Sequence, residues 1–453
     1  GEWLSLVSDR EPPSPADTRE RWHINADGAE VDVAHLTSLN SPTGLRFSAG
    51  SRVRLRDAYV FNVGAAQRDR GAVWVGGGAH LDGAQLELRD VQPVGIAAGV
   101  WNDDPPGRLV LDDVLIDGVR RQTDLAVYDT LNGGYPLVLG KRLSGVRLRR
   151  VRVRRARTAL SVTRGLPAGR LIQIEDFHLE DADEAPGRPV SWNQAGADAP
   201  GYGVVLGSGT LEATRIALDR PLLTALYQAA ESSGTIHQLV IRDPQPYAGL
   251  FGSGLVTHGA LALNGAAVLG ARGAAWINTG TASVQDLWVL DTARAVQLDQ
   301  ANRTYRLARA ITHGGPGELT LARAHVDRSE GFGLSLQGPS AISDLRIDHT
   351  RRGPCEVEDL CLGPGWWGLA ANVEVAPRQF ERVALTGSAT AALRATVDFA
   401  ARDLLLADAP LGQIVVSPAR VGAAPAVVRR IQDGEAPAQA FPDFDVAAPP
   451  SPE

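Results

Sequence analysis

Apolar and polar positions follow one recurring eight-residue pattern along most of the chain. An apolar residue, any residue and a second apolar residue precede two polar residues, after which apolar, any and apolar positions return. Fourteen copies align, among them VRLRDAYV from residue 53, LVLDDVLI from 109 and IQIEDFHL from 172. Alternation with a period of two predicts strands with one buried face. Because the polar pair interrupts the alternation at a fixed place, each copy predicts two short strands that meet at a corner.

The spacing of the copies indicates how these strands are arranged. Successive copies begin 21 to 27 residues apart, or 33 to 39 apart where a loop is inserted, and a short apolar stretch such as GVVLG from 203 precedes most of them. Three short strands in so few residues predict one coil of a solenoid. A propeller blade needs about 40–45 residues, and a leucine-rich repeat needs a fixed asparagine and a helical half that these copies lack. We therefore predict an all-β solenoid of about 14 rungs.

The repeated phrase, its length and its polar corner pair resemble those of right-handed parallel β-helix proteins. This pectate-lyase-like superfamily includes pectate lyases, polygalacturonases and many bacterial surface proteins. The resemblance covers residues 29–433, implies a right-handed parallel β-helix, and concerns fold and not activity. Residues 1–28 and the Pro/Ala-rich residues 434–453 are predicted to be arms or linkers. Such ends suggest either a module of a longer surface protein or a subunit whose arms dock onto neighbours.

Four longer loops are predicted between one copy of the pattern and the next. They span about 119–145, 182–202, 292–318 and 349–367. In a solenoid this placement puts them along one side, which is usually the binding side.

Three tryptophans in these loops are candidate ligand-binding residues. Trp192 lies in the second loop, and Trp366 and Trp367 form an adjacent pair in the fourth. Flat aromatic faces can stack on sugar rings, so the loops are candidates for contact with a surface polysaccharide. Two alternatives remain open: the tryptophans fold under their loop as a small local core, or they contact another protein.

The two cysteines, Cys355 and Cys361, lie in the same fourth loop within CEVEDLC. Two thiols separated by five residues and flanked by Gly and Pro predict a disulfide that closes the loop. A metal site would need two more ligands, and no histidine lies between the two cysteines. A disulfide predicts an oxidising compartment, so we expect an exported protein at the cell surface or outside the cell.

Composition narrows the possible partners. The net charge of −7 provides no global positive field for nucleic acid, and no apolar run approaches the ~18–20 residues of a membrane span. The chain has no methionine, so we expect a processed form or an excised fragment. Of the 45 basic residues only Lys141 is lysine, a bias typical of a GC-rich bacterial genome.

One basic stretch resembles an anion-binding patch. VRLRRVRVRRAR, residues 146–157, contains seven arginines in twelve positions. Because parallel rungs stack about 4.8 Å apart, Arg149 and Arg150 are predicted to lie between the acidic corner pairs at 112–113 and 175–176. We therefore predict a salt-bridged rung, with an anion-binding stripe as the alternative. The arginines without an assigned acid are Arg152, Arg154, Arg155 and Arg157.

The patterns typical of polysaccharide-cleaving β-helix enzymes are missing. The chain has no Asn-Thr-Asp, Gly-His-Gly or Arg-Ile-Lys, the motifs typical of polygalacturonases. Asp103 and Asp104 stand in NDDPPG, which is typical of a turn and is otherwise a weak candidate for the acid pair of an inverting hydrolase.

A second set of weak catalytic candidates lies near the C-terminal rungs. His313, His325, Asp327 and Asp348 are the most promising titratable residues there, and the last three fall on adjacent predicted rungs. The alternative is that they are ordinary polar residues on an outward face.

These observations lead to one function and one alternative. We expect a non-catalytic, exported scaffold or adhesion protein in a surface, matrix or filament assembly, with no metal and no cofactor. Its expected partners are a second copy, bound end to end or through terminal arms, or a surface polysaccharide. The alternative is a polysaccharide lyase or glycoside hydrolase that acts from the side of the inserted loops.

Overall fold

The structure is a computed structural model of the chain. The residues that it describes are 4–7, 23–40, 44–63, 71–91, 94–100, 105–119, 134–163, 165, 169–182, 202–246, 252–298, 304–351, 368–397, 399, 401–410 and 414–416.

Strands are the only regular elements in these ranges, and most of them belong to two long parallel sheets of 15 strands each, named sheet A and sheet B here. The strands of sheet A are β1 (Leu4–Val7), β3 (Glu30–Leu39), β5 (Arg52–Phe61), β7 (His80–Arg89), β9 (Gly107–Asp117), β11 (Leu143–Arg154), β13 (Leu171–Glu180), β15 (Gly209–Asp219), β17 (Ser232–Arg242), β19 (Ala260–Leu269), β21 (Ala282–Leu290), β25 (Leu319–Asp327), β27 (Ser340–Asp348), β29 (Gln379–Thr386) and β31 (Arg402–Leu406).

Sheet B contains shorter strands that alternate with those of sheet A along the chain. They are β2 (Ile24–Asp27), β4 (Leu45–Ser48), β6 (Val73–Val75), β8 (Val94–Ala98), β10 (Tyr135–Leu139), β12 (Leu160–Val162), β14 (Tyr202–Leu206), β16 (Thr224–Gln228), β18 (Ser253–Thr257), β20 (Ala274–Asn278), β24 (Arg309–His313), β26 (Phe332–Leu336), β28 (Leu369–Val373), β30 (Leu393–Ala395) and β32 (Ile414–Val416). The remaining two strands, β22 (Ala295–Leu298) and β23 (Thr304–Leu307), form an antiparallel hairpin.

Each copy of the sequence pattern forms one strand of sheet A and pairs in parallel with the copies before and after it. In β11, for example, Val146 lies opposite Leu109 of β9 and Ile172 of β13. The predicted all-β architecture of about 14 rungs is therefore present, and it is consistent with a β-solenoid.

The polar pair forms the predicted corner. In every rung its second residue has a positive φ, between 49° and 65° for the residues other than glycine, which turns the chain and divides the sheet A strand into two halves. The first-corner residues are His35, Asp57, Gln85, Asp113, Arg150, Asp176, Arg215, Gln238, Gly265, Asp286, Arg323, Asp344, Arg382 and Asp403.

A second corner follows, which the sequence pattern did not reveal. Five residues after each first-corner residue, another residue adopts a positive φ and ends the second half of the strand. The second-corner residues are Asn40, Asn62, Asp90, Gly118, Arg155, Asp181, Arg220, Asp243, Gly270, Asp291, Arg328, His349, Gly387 and Asp408. The two halves and the sheet B strand are thus the three short strands predicted for each coil.

One continuous apolar core runs along the inside of the rungs. In β11 the alternate residues Val146, Leu148, Val151 and Val153 are at most 5% exposed, while the arginines between them are not part of the core. Burying an aliphatic side chain contributes about 1.5–3 kcal/mol relative to leaving it exposed. The arginine-rich stretch is therefore held as a rung by its aliphatic residues.

The four long connections all lead from sheet A into sheet B. Their first and last flanking strand residues are Asp117 and Tyr135, Glu180 and Tyr202, Leu290 and Arg309, and Asp348 and Leu369. The predicted limits were too wide in two cases, because β10 lies within 119–145 and β24 lies within 292–318. The predicted placement on one side of the stack agrees with this common position in the rung.

Candidate functional site

The structure brings together three of the candidate residues, His325, Asp327 and Asp348. The strands β25 and β27 are neighbours, and Asp327 lies directly opposite Asp348 in the register. His325 Nε2 is 3.1 Å from Asp348 Oδ2. The His325 ring also meets the Trp288 ring edge-on, with centroids 5.4 Å apart. The prediction that these three residues are close together is confirmed.

Asp348 is the most buried acid of this cluster, with 3% of its surface exposed. Burial alone would raise the pKa of its carboxyl group. Hydrogen bonds from His325, Thr386 and Arg346, and the positive charge of Arg346, outweigh burial and lower the pKa of Asp348 to about 2. Asp348 therefore stays ionised and hydrogen-bonded to three side chains at neutral pH.

Both carboxylate oxygens of Asp327 are also hydrogen-bonded. Its Oδ1 lies 2.9 Å from His349 Nδ1, and its Oδ2 accepts a hydrogen bond from Arg328. Arg328 also binds both carboxylate oxygens of Asp291 on the preceding rung, at 2.6 and 2.8 Å. Both acids of the predicted cluster are thus hydrogen-bonded to side chains of their own rung and of a neighbouring rung.

His313 does not belong to this cluster, and its placement in a surface loop was wrong. It is the last residue of β24, and its surface is fully buried inside the stack. His313 Nε2 donates to the carbonyl of Pro339 at 3.0 Å, and Nδ1 accepts from Asn278 Nδ2 at 3.0 Å. Burial, the largest effect, lowers the pKa of His313 despite hydrogen bonds to backbone groups. This neutral, fully bonded imidazole is a structural residue and not a catalytic candidate.

His313 ends an inner polar row, which consists of Gln228, Thr257, Asn278 and His313 at the same register position on four successive sheet B strands. Each of these residues is at most 1% exposed. Thr257 Oγ1 accepts from the indole Nε1 of Trp276 at 2.9 Å and donates to Asn278 Oδ1 at 2.8 Å. The sequence offers a signal for this row in the polar residue that ends each of these four strands, but only the register shows that they stack.

A second His–Asp pair repeats the geometry of His325 and Asp348. His178 of β13 lies 2.7 Å, through Nε2, from Asp219 Oδ2 of β15, and 3.3 Å, through Nδ1, from Glu180 Oε1. In both pairs the acid is on the next rung, two residues further along the strand. Arg242 binds Asp219 at 2.8 Å, so this cluster is also closed by ion pairs.

The arginine-rich rung is salt-bridged as predicted. Arg149 donates through Nε to Asp112 at 2.8 Å, and Arg150 donates through Nη2 to Asp113 at 2.8 Å. Three of the four unassigned arginines also have acidic partners: Arg152 and Arg154 bind Glu180, and Arg155 binds Asp117. Arg157 is 3% exposed and therefore presents no charge to an incoming anion. The anion-binding stripe is the weaker interpretation.

Several predicted site residues lie outside the described residues. They are Asp103, Asp104, Trp192, Trp366, Trp367, Cys355 and Cys361. Both cysteines are among these residues, so the disulfide and the compartment inferred from it stay predictions.

The sequence missed a shallow depression of about 610 Å³ on the outer surface of the first strand halves of sheet A. Glu175, Glu212 and His237 from three successive rungs line it, together with Arg147. The nearest cation to Glu175 Oε1 in an ion pair is Arg215 Nη2 at 3.6 Å. For Glu212 no ion pair is present among the described residues. Only the register shows that these acids are adjacent.

Comparisons with family models, with curated proteins and with solved structures found no match to this chain.

Two features of the described residues bear on partners. Within the described ranges, no three His, Cys, Asp or Glu side chains are grouped so that they could hold a metal ion. In the same part of the chain, no helix is long and apolar enough to cross a membrane.

Proposed function

We propose that this chain is a non-catalytic scaffold, built as a right-handed parallel β-helix of the pectate-lyase-like kind and exported to a cell surface or extracellular matrix. At about 4.8 Å per rung, 14 rungs make a rod about 65–70 Å long. Its long connections on one side would present variable surface, including the predicted sugar-binding tryptophans, on a rigid support.

The main support for this proposal is that the candidate acids are hydrogen-bonded to other side chains. A general acid needs a pKa near the working pH and a proton to give. The pKa of Asp348 is lowered to about 2, so this carboxylate holds no proton at neutral pH. The carboxylate oxygens of Asp348 and Asp327 are hydrogen-bonded to side chains of their own or adjacent rungs. These residues strengthen the stack and leave no free acid for catalysis in this cluster.

One observation favours a second candidate, a glycoside hydrolase. Glu175 and Glu212 lie on adjacent rungs, and Gln173 is opposite Glu212 in the register. A two-residue offset along the strand and one rung across place their Cα atoms about 8 Å apart. Inverting hydrolases hold their two carboxyl groups about 6.5–9.5 Å apart. This site would use the open outer surface of sheet A and not the side of the long connections.

Incubation with a panel of acidic and neutral polysaccharides tests both candidates. We expect no new reducing ends and no unsaturated products after prolonged incubation with the wild-type protein. Turnover that disappears in Glu212→Gln and persists in Asp348→Asn would overturn the scaffold proposal in favour of the hydrolase. The matched control Glu87→Gln changes an acid on another outer face, so it separates loss of a catalytic carboxylate from a general effect of charge.

A further inference from the structure

Arg46, on the outer face of sheet B, has no acidic partner among the described residues. It lies in the middle of β4, between the buried core residues Leu45 and Phe47. No described group accepts a hydrogen bond from its guanidinium, and its Nε is buried without a partner. The first-corner arginines, in contrast, pair with acids, as Arg150 does with Asp113. Because buried polar groups are normally bonded, the missing partner distinguishes Arg46 from these arginines.

An aromatic ring holds the guanidinium of Arg46 in place. The central carbon of the guanidinium lies 5.2 Å from the centroid of Trp74, which is directly opposite Arg46 on β6. Trp74 is 7% exposed and packs with Val94 and Tyr135, among other residues, in a small apolar cluster. A cation–π contact uses the face of the ring and consumes none of the five N–H donors of arginine. Arg46 is therefore positioned by a rigid wall while its outer nitrogens stay available to a ligand.

Arg46 and Trp74 line a pocket of about 540 Å³, called the Arg46 pocket here. This volume is in the range of small-molecule sites, about 300–1,000 Å³. Pro105 forms another wall of the pocket, and Gly78 lies beneath it. A Cβ at Gly78 would be 2.8 Å from Pro105 Cγ, so the absence of a side chain at Gly78 lets Pro105 rest on the backbone. The pocket thus has fixed walls on two sides.

An opposite charge lines the same pocket. Asp27 ends β2 and lies opposite Ser48, two residues along β4 from Arg46. Ser48 donates a hydrogen bond to Asp27 Oδ1 at 3.2 Å, and no cation binds the Asp27 carboxylate among the described residues. One rung and two residues along the strand separate the Cα atoms of Arg46 and Asp27 by about 8 Å. The Arg46 pocket therefore holds a guanidinium and a carboxylate that are not paired with each other.

A ligand that bridges these two groups would give each of them a partner. A carboxylate is the preferred partner of a guanidinium, because its two oxygens can accept two parallel N–H bonds. An ionised carboxylate such as that of Asp27 only accepts hydrogen bonds, so it requires an ammonium or hydroxyl donor on the same ligand. Pro105 and Pro106 offer apolar surface to the carbon atoms between the two groups. The size of the pocket and the short distance between the two charges favour a small ligand.

We propose that the Arg46 pocket binds a small organic acid with a hydrogen-bond donor on the carbon next to its carboxylate, the chemistry shared by 2-amino acids and 2-hydroxy acids. Arg46 binds the carboxylate of the ligand, and Asp27, which Ser48 supports, accepts from the donor. This binding site goes beyond the proposed scaffold function and is independent of it, since it uses none of the acids whose bonding supports that proposal.

Isothermal titration calorimetry of the full chain tests the proposal with four probes: L-alanine, L-lactate, acetate and methylammonium. Acetate and methylammonium each carry only one of the two recognised groups. We expect L-alanine, L-lactate or both to bind at least about tenfold more tightly than either of them. Failure of both L-alanine and L-lactate to bind at millimolar concentration, or acetate binding as tight as theirs, would overturn the proposal.

Substitution of Arg46 locates the site. Arg46→Gln should weaken binding at least about tenfold, because the charged partner of the ligand carboxylate is lost. Arg46→Lys keeps the charge and should restore part of the affinity. The matched control Arg54→Gln changes an exposed arginine on the outer face of sheet A and should leave the affinity unchanged. Undiminished binding in Arg46→Gln would overturn the assignment of the site.

Substitution of Asp27 identifies the donor on the ligand. Asp27 is exposed, so Asp27→Asn alters the pocket without disturbing the core. The variant should bind L-alanine about tenfold more weakly, because an amide has no charge to pair with an ammonium group. It should change the affinity for L-lactate less than about threefold, since the amide oxygen still accepts from a hydroxyl group. Unchanged binding of L-alanine in Asp27→Asn would contradict the role of this carboxylate.

Discussion

The outer corners and the inner polar row both stack one polar side chain per rung, but they use different chemistry. Most of the corners use ions: Arg323 binds both oxygens of Asp286 at 2.6 and 2.7 Å, and its side chain is 36% exposed. The inner row uses neutral groups, with Thr257, Asn278 and His313 joined by hydrogen bonds and all fully buried. Isolated charges are very costly to bury, whereas a neutral polar group is tolerated once it is hydrogen-bonded. Solvent exposure thus determines whether stacked polar side chains are joined by ion pairs or by hydrogen bonds between neutral groups.

In the inner row the order of hydrogen-bond donors and acceptors is fixed from one residue to the next. The indole of Trp276 can only donate, so Thr257 must accept from it and donate onward to Asn278 Oδ1. This leaves Asn278 Nδ2 to donate to His313 Nδ1, and the opposite nitrogen of His313 must carry the proton that the carbonyl of Pro339 accepts. One donor-only group therefore fixes the tautomer of a histidine on the next rung.

The largest expected effect comes from breaking the inner row. His313→Leu would remove the hydrogen bonds of His313 to Asn278 and Pro339 and place an apolar side chain against these buried polar groups. Because each of the two groups keeps one other backbone partner, we expect a cost of about 1–3 kcal/mol in the free energy of unfolding. Urea denaturation followed by tryptophan fluorescence measures it. His258→Leu is the control, because His258 is only half buried and bonds one hydroxyl, that of Thr279. Equal losses for the two variants would contradict the distinction between inner and outer polar groups.

Lowering the pH should reduce the stability of the protein in two separate pH ranges, one set by His313 and one set by Asp348. Burial lowers the pKa of His313 below 6.5, so the unfolded chain takes up the proton first and stability falls as the pH drops below about 6.5. The pKa of Asp348 is lowered from 3.8 to about 2, so its contribution of about 2 kcal/mol is present above 3.8 and is lost between about 3.8 and 2.

Unfolding free energies measured from pH 8 to pH 2 test these windows. The His313→Gln variant should lose part of the slope below pH 6.5, and Asp348→Asn should lose part of the slope below pH 3.8, where Asp112, Asp219 and Asp291 also contribute. The interpretation is wrong if His313→Gln changes the slope of the unfolding free energy below pH 3.8, or if Asp348→Asn changes the slope between pH 6.5 and pH 3.8.

The smallest effect is expected for a single corner pair. Arg323→Gln removes one partly exposed ion pair while keeping a residue type that the first corner tolerates at Gln238. We expect a loss of less than about 1 kcal/mol, which shrinks further in 1 M salt because screening weakens the wild-type pair. Thermal unfolding at low and high salt measures it. A loss as large as that of His313→Leu would show that the corners and the inner row are energetically alike.

The sequence predicted those features that depend on local alternation or on aligning the copies. The first corner, the salt-bridged arginine rung and the closeness of His325 to Asp348 all follow from that alignment. The second corner was missed because Asn40, Gly118, Arg155 and other residue types share the conformation without sharing chemistry. The burial of His313 was missed because its strand lies between two copies of the pattern and was counted as loop.

The constant distance of five residues between the two corners has a consequence for how such a chain can change. In every described rung the segment between the corners has the same length, and the four long connections all lie at the passage into sheet B. The distance between the corners is therefore constant, and the longest additions are accommodated at that passage. Foreign peptides grafted into that passage would extend sideways from the rod and leave the pitch of the stack unchanged, so this passage is the natural place to display added sequence at regular intervals.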